Sequence, residues 1–316
     1  MRILIISPID SSAVAALERQ HDVRSAIGVD DATLRTLIRD REALIFRSGV
    51  SVTADLMRSA PGLKLLVRGG SGFDNVDLEY VTANGIEFLR VPEPGARAVA
   101  ELTFALMLAL ARSLLRADAA WRQGRWLKHE LPGYLLRGKV LGIVGAGSIG
   151  LTVGELGAAW GMEVLGCVAH PTPARAEALH QQGIRLASFD DVVARADFLS
   201  VHVALTPQTR NLIDADVLDR MKPGSFLLNL ARGSVVDETA LRAALLRGDR
   251  LLGAGLDVHE AEGEGKVSKL ADLPNVILTP HIGATTVDTQ REIGERIVAL
   301  IDQFARTYQE VSASLA

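Results

Sequence analysis

Three placements of residues in this chain can do chemistry. Arg232 follows the apolar run 226–230 of "SFLLNLARGSVVD" directly. A guanidinium cannot shed its charge, so at the end of a buried strand it needs a partner or a water-facing cleft. Asp237 is a local partner; the alternative is a bound carboxylate, which the planar fork of donors grips bidentately. His281 follows "VILTP" and stands at a strand's C-terminal end, where open α/β sheets bind ligands. Its imidazole can give or take a proton near neutral pH.

The third placement is "VLGIVGAGSIG", in which Gly145, Gly147 and Gly150 spell G-x-G-x-x-G between an apolar strand and a helical pattern over 151–160. The first glycine makes the tight turn, the second lets backbone approach a pyrophosphate, and the third lets helix pack on strand. The free N–H groups of Ser148 and Ile149 at the helix start then suit phosphates. A plain glycine-rich βα turn is the other reading, and the strand before and helix after argue against it.

These residues need a scaffold, and the chain of 316 residues is long enough for two domains with full cores. Short β-type runs alternate with helical segments, the pattern of parallel sheets covered by helices. Strands are expected at 3–6, 43–46, 63–67 and 86–89, then "KVLGIVG", 164–168, 198–203, 226–230, 252–258 and 276–278. A long helical segment is expected from about Ala98 to Gly124, and a final helix over 285–303. The fold class expected is α/β, with two doubly wound, Rossmann-like parallel sheets.

A net charge of −4 leaves no basic footprint for nucleic acid or an anionic membrane. The single cysteine, Cys167, allows no internal disulfide, which suits a reducing cytosol. The longest apolar run, "FALMLALA" over 104–111, is far below the ~20 residues of a membrane span and reads as a buried helix. A cytoplasmic protein is expected. His21, His129 and His180 read as surface residues, His202 and His259 lie in or beside strands, and no metal site is expected.

Together with the glycine motif, "RGGSGFDNVDL" (68–78), "NLARGSVVDETAL" (229–241), "GAGLDVHEAE" (253–262) and "LTPHIGATT" (278–286) resemble the D-isomer-specific 2-hydroxyacid dehydrogenase family over nearly the whole chain. The resemblance implies a flavodoxin-like substrate domain of residues 1–97 and 285–316, with an NAD(P)-binding Rossmann domain of 98–284 inserted in it. It implies a homodimer, formed through the long helix that begins near Ala98. It also implies interconversion of a small 2-oxo acid and its D-2-hydroxy acid, with phosphoglycerate dehydrogenase or glyoxylate/hydroxypyruvate reductase activity leading. The chain ends soon after its last helix, so no regulatory C-terminal domain is expected. A nucleotide-sensing binding protein of the same fold, as in corepressors, is the rival reading.

By the same resemblance Arg232 binds the carboxylate and carbonyl oxygen of the substrate. His281 supplies the proton that the alkoxide needs after hydride transfer, and Glu262 orients the imidazole. Glu260, two residues away, competes for that place. Formate dehydrogenases of the superfamily carry glutamine there and move no proton, so a carboxylate at Glu262 implies proton-coupled hydride transfer.

Substrate contacts are expected from Arg47, Ser48, Arg97 and a backbone nest at Gly70, Ser71 and Gly72. The surplus of Arg47, Arg68 and Arg97 suggests a second anion on the substrate. Gly95 stands where the family usually has asparagine. Ser71, Val203, Leu230, Ala231 and Asp257 are expected against the cofactor. Val168 stands where an NAD enzyme places its ribose-binding acid, and 164–176 holds no acid at all. His170, Thr172 and Arg175 follow and can donate to a 2′-phosphate, so NADP use is expected beside NAD.

Overall fold

The computed structural model describes residues 1–314. The chain forms two compact units, Met1–Gly95 with the chain from Ala284 onward, and Ala96–Gly283.

The first unit holds a five-stranded parallel sheet of β1 Arg2–Ile5, β2 Asp22–Ser25, β3 Ala43–Phe46, β4 Leu65–Arg68 and β5 Glu87–Arg90, in the order β2-β1-β3-β4-β5. That is the flavodoxin-like order, whose switch point lies between β1 and β3. Alternate residues of each strand fill the cores on the two faces. Leu4, Leu44, Phe46 and Leu66 go to one, and Ile3, Ile5, Ile45, Leu65 and Val67 to the other. The second core is completed by Ile293, Ile297 and Ile301, at spacing four along the last helix, Val287–Ser314. Each is at most 1% exposed, and such burial contributes about 2 kcal/mol per side chain.

The second unit holds seven parallel strands: β6 Val140–Val144, β7 Glu163–Cys167, β8 Ile184–Leu186, β9 Phe198–Val201, β10 Ser225–Asn229, β11 Leu251–Leu256 and β12 Val276–Leu278. Their order is β12-β11-β10-β9-β6-β7-β8, so the direction of winding reverses between β6 and β9.

Two strands, β2 "DVRS" and β8 "IRL", escape the pattern of apolar runs. Both are short edge strands, and the burial of β2 shows no fully covered residue. The long helical segment is broken into Glu93–Ala111 and Leu114–Arg122, because Ser113 adopts a left-handed φ of 48°. It also starts earlier than expected: Pro94 sits in the first turn, where its missing N–H costs nothing. The helix Glu93–Ala111 is long and apolar enough to cross a membrane, yet 67% of its apolar window is buried within the fold. The last helix begins at Val287, after Thr286, whose hydroxyl accepts the Thr289 N–H.

His21 is not a surface residue. Its side chain is 6% exposed, with Nε2 3.2 Å from Asp302 and Nδ1 3.3 Å from the Met1 amine. An edge strand's end is thereby tied to the last helix.

Candidate active site

The glycine turn occupies the switch point of the second unit's sheet. Gly145 has φ +96°, and a β-carbon on it would stand 2.8 Å from Val203 Cγ1 and 2.9 Å from the His202 carbonyl carbon. Both the angle and the neighbours after β9 demand glycine. A β-carbon on Gly150 would stand 2.3 Å from the Gly145 oxygen, so the helix Ser148–Ala159 rests directly on the strand. One on Gly147, the N-cap of that helix, would meet open space. The N–H groups of Ser148 and Ile149 in the first turn have no partner in the helix ladder. A diphosphate fits that opening.

Val168 follows the end of β7 and is half-buried, and His170 is exposed. Thr172, expected to donate to a phosphate, caps the helix Pro173–His180 by accepting the Arg175 N–H at 3.2 Å. The Arg175 guanidinium donates to the Ala146 carbonyl and so lies beside the glycine turn.

Arg232 is half-buried in a turn fastened from beneath. Asn229, fully buried at the end of β10, accepts the Ala231 N–H at 3.1 Å and donates to the Arg232 carbonyl at 3.0 Å. The guanidinium donates to the Ala231 carbonyl at 2.8 Å. Leu230 and Ala231 are buried, Ala231 within the unit's main core. The glycine after the arginine has a steric reason: a β-carbon on Gly233 would stand 1.9 Å from the His259 carbonyl oxygen. Arginine on glycine therefore docks the β10 turn against the segment after β11. Asp237 caps the next helix, Glu238–Arg247, accepting the Thr239 and Ala240 N–H groups.

His281 and Glu262 meet in that same unit. Nδ1 of His281 lies 2.9 Å from Glu262 Oε2, with the side chains 31% and 39% exposed. Nε2 is then the nitrogen that can meet a ligand. Partial burial is the largest influence on Glu262 and pushes its pKa up. The hydrogen bond and charge of His281, with help from His259, outweigh it and leave the carboxyl below its ordinary value. Glu260 faces elsewhere. It accepts from Lys269 Nζ at 2.7 Å and from the Glu238 N–H at 3.2 Å, and its own N–H donates to buried Glu238 at 2.8 Å.

His281 takes a left-handed φ of 54°, an angle unusual outside glycine. Asp257 imposes it. Its carbonyl accepts the His281 N–H at 2.8 Å, and its carboxylate accepts from the Thr279 hydroxyl (2.6 Å), the Ile282 N–H (2.9 Å) and the Gly283 N–H (2.8 Å). Asp257, expected to face the cofactor, is 2% exposed, and both of its oxygens accept from this turn.

The first unit's candidates surround the C-terminal ends of β1 and β3. A cavity of about 460 Å³ is lined by Ser7, Pro8, Ile9, Asp10, Arg47, Ser48, Thr285 and Gln290. Arg47 donates to Gln290 Oε1 and to the Gly69 carbonyl, and burial pushes its pKa down. The N–H groups of Gly69 and Gly70 are spent on the Phe46 and Arg68 carbonyls, which removes Gly70 from the expected nest and confines it to Ser71 and Gly72.

Two members of the arginine surplus have other work. Arg68 is 3% exposed, bonded to Asn75 and placed over the Phe46 ring. Arg97, expected at the substrate, pairs with Glu101 one helical turn on, both about two-thirds exposed (63% and 62%).

Sequence reasoning passed over Asn229, Glu238 and His259. Asn229 did leave a signal, as the one amide within the apolar run "FLLNLA".

A parallel sheet with a glycine turn at its switch point, carrying an Arg, Glu and His set beyond other strand ends, defines a Rossmann-type α/β protein of the dehydrogenase kind. The chain matches the family model described as the D-isomer specific 2-hydroxyacid dehydrogenase, NAD binding domain, over residues 104–283. It is 41% identical over 292 residues to a D-3-phosphoglycerate dehydrogenase of Mycobacterium leprae, covering 92% of this chain and 54% of that protein. The chain thus spans about half the length of that relative. A hydroxypyruvate reductase of Thermotoga maritima is 35% identical, with 95% of this chain and 97% of that protein covered. The crystal structure of a D-lactate dehydrogenase from Aquifex aeolicus, complexed with NAD and lactic acid, superposes with a TM-score of 0.87 at 30% identity, covering 98% and 97% of the two chains. The chain belongs to the D-isomer-specific 2-hydroxyacid dehydrogenase family.

Proposed function

We propose that the protein is a nicotinamide-dependent oxidoreductase that interconverts a small 2-oxo acid and its D-2-hydroxy acid. The observation that carries this reading is the 2.9 Å contact between His281 Nδ1 and Glu262, in the unit that also presents the Arg232 turn. Arg232 grips the substrate carboxylate and polarises its carbonyl. The glycine turn at Gly145, Gly147 and Gly150 would hold the nicotinamide cofactor, which when bound would supply the hydride. His281, oriented by Glu262, gives its Nε2 proton to the oxygen that becomes a hydroxyl. Its Nδ1 bond to Glu262 leaves Nε2 as the ring nitrogen that meets the substrate oxygen.

The names of the relatives and of a similar solved glyoxylate reductase support phosphohydroxypyruvate, hydroxypyruvate, glyoxylate and pyruvate as the panel to test. Reduction of each is followed by loss of NADH or NADPH absorbance. Turnover of at least one supports the reading, and none with either cofactor refutes it. For the cofactor, Val168 in place of an acid and Arg175 beside the glycine turn support use of NADPH as well as NADH.

A homodimer is part of this proposal. Burial of the apolar stretch in Glu93–Ala111 needs no partner, since Phe104, Leu106, Met107 and Leu110 lie within the fold. Support comes instead from Leu114, Leu115, Trp121, Trp126 and Leu135, each more than half exposed. Light scattering on the eluting protein tests it.

A further inference from the structure

We propose that His259 is a positioning residue of the acid–base pair, holding Glu262 and the His281 turn in register with each other and with the Arg232 turn. The proposal rests on the roles given above to His281 and Glu262.

His259 reaches each of these elements by a different group. Its N–H donates to Glu262 Oε1 at 3.1 Å, while the other oxygen of that carboxylate faces His281. Its ring Nε2 lies 2.9 Å from the Thr279 carbonyl oxygen. A carbonyl only accepts, so the ring donates and its proton is on Nε2. The same carbonyl accepts the His281 N–H at 3.1 Å, so the ring secures the strained turn at its root. Its own carbonyl is the surface on which Gly233, next to Arg232, comes to rest.

The ring is not there merely to fill space. Its Nδ1 is buried with no hydrogen-bond partner, and leaving a buried acceptor unsatisfied is costly. An apolar side chain would occupy this place without that cost. What it would lack is the Nε2–H donor to Thr279. The exchange makes sense if the place of His281 matters more than the stability lost, because small displacements of a reacting group cost large factors in rate.

The test compares His259→Phe with His259→Gln, whose amide N–H can reach the Thr279 carbonyl. Reduction of the best 2-oxo acid is measured against pH, and NADH affinity by fluorescence. The downfield proton resonance of the His281–Glu262 bond, assigned by its loss in His281→Gln, is followed by NMR. In His259→Phe, kcat is expected to fall about tenfold while KM stays within about twofold. The alkaline limb of the rate profile should move to lower pH, and the resonance should broaden, with NADH affinity unaltered. His259→Gln should recover most of kcat. Should the Phe variant not fold, His259→Met lacks the same donor and is read in the same way. Wild-type kcat, pH limb and resonance in a folded variant without the donor overturn the proposal. If wild type reduces no 2-oxo acid, the functional reading fails, and the resonance still decides whether His259 holds the pair.

Discussion

Gly233 and His259 approach so closely that a β-carbon on the glycine would stand 1.9 Å from the carbonyl oxygen of the histidine and 2.0 Å from its carbonyl carbon. The obstacle is backbone, so no side chain can rotate away. Gly233→Ala must push the turn carrying Arg232 off the segment leading to Glu262. A loss of about 3 kcal/mol is expected, within the range of severe overpacking. Urea unfolding checks the stability, and KM for the 2-oxo acid should rise in whatever folds. A variant as stable and active as wild type would mean that the two turns are not held together here.

The two glutamates after β11 should behave differently. Glu262→Gln removes the carboxylate from His281, so the alkaline limb of 2-oxo acid reduction should move to lower pH. Glu260→Gln weakens only the Lys269 and Glu238 contacts and should leave that limb in place. Parallel pH profiles of kcat/KM decide between them. The reverse result assigns the wrong glutamate.

His202 makes the fold sensitive to acid. Its ring has Nε2 2.7 Å from the Ser200 hydroxyl and a sealed Nδ1 with no partner, and burial pushes its pKa down to about 3. An unfolded histidine takes its proton near 6.5. Below that pH the unfolded state binds the extra proton, so stability falls as the pH drops from about 6.5 towards 3, by up to about 1.4 kcal/mol per unit. Unfolding free energies at pH 7 and pH 5 should differ by up to about 2 kcal/mol more in wild type than in His202→Asn. Equal differences would show that the ring is protonated without cost.

Cofactor choice should respond at one position. Val168→Asp restores a carboxylate beside the glycine turn, which accepts from a ribose hydroxyl and repels a 2′-phosphate. Preference should shift towards NADH by more than ~1 kcal/mol, about fivefold. The ratio of kcat/KM for the two cofactors measures it. Wild type favouring NADH a hundredfold (~2.7 kcal/mol), unaltered by the substitution, would contradict the reading.

Placements that follow from residue type and spacing were legible in the sequence: the glycine turn before its helix, Arg232 after its strand, His281 after "VILTP". So were central strands such as "ALIF", buried on both faces and therefore apolar throughout. Edge strand β2 was not, because "DVRS" is half open to water and carries no apolar run. The choice of Glu262 over Glu260 came from the family resemblance, because residue type and spacing alone left both glutamates open. It depends on which way a six-residue segment folds back, and that is set by Lys269 and Glu238 drawing Glu260 away. The structural task of Asp257 was likewise beyond the sequence: the turn it braces around His281 is made by contacts more than twenty residues apart.

The central claim is that His281 delivers the proton in 2-oxo acid reduction. The most direct measurement is kcat for His281→Gln with the best 2-oxo acid, beside the affinity of the same variant for its nicotinamide cofactor. Loss of a positioned acid should lower kcat by roughly 10²–10⁴ and leave cofactor binding on the glycine turn unchanged. Turnover within about threefold of wild type would contradict the claim, since a positioned acid is worth far more than that.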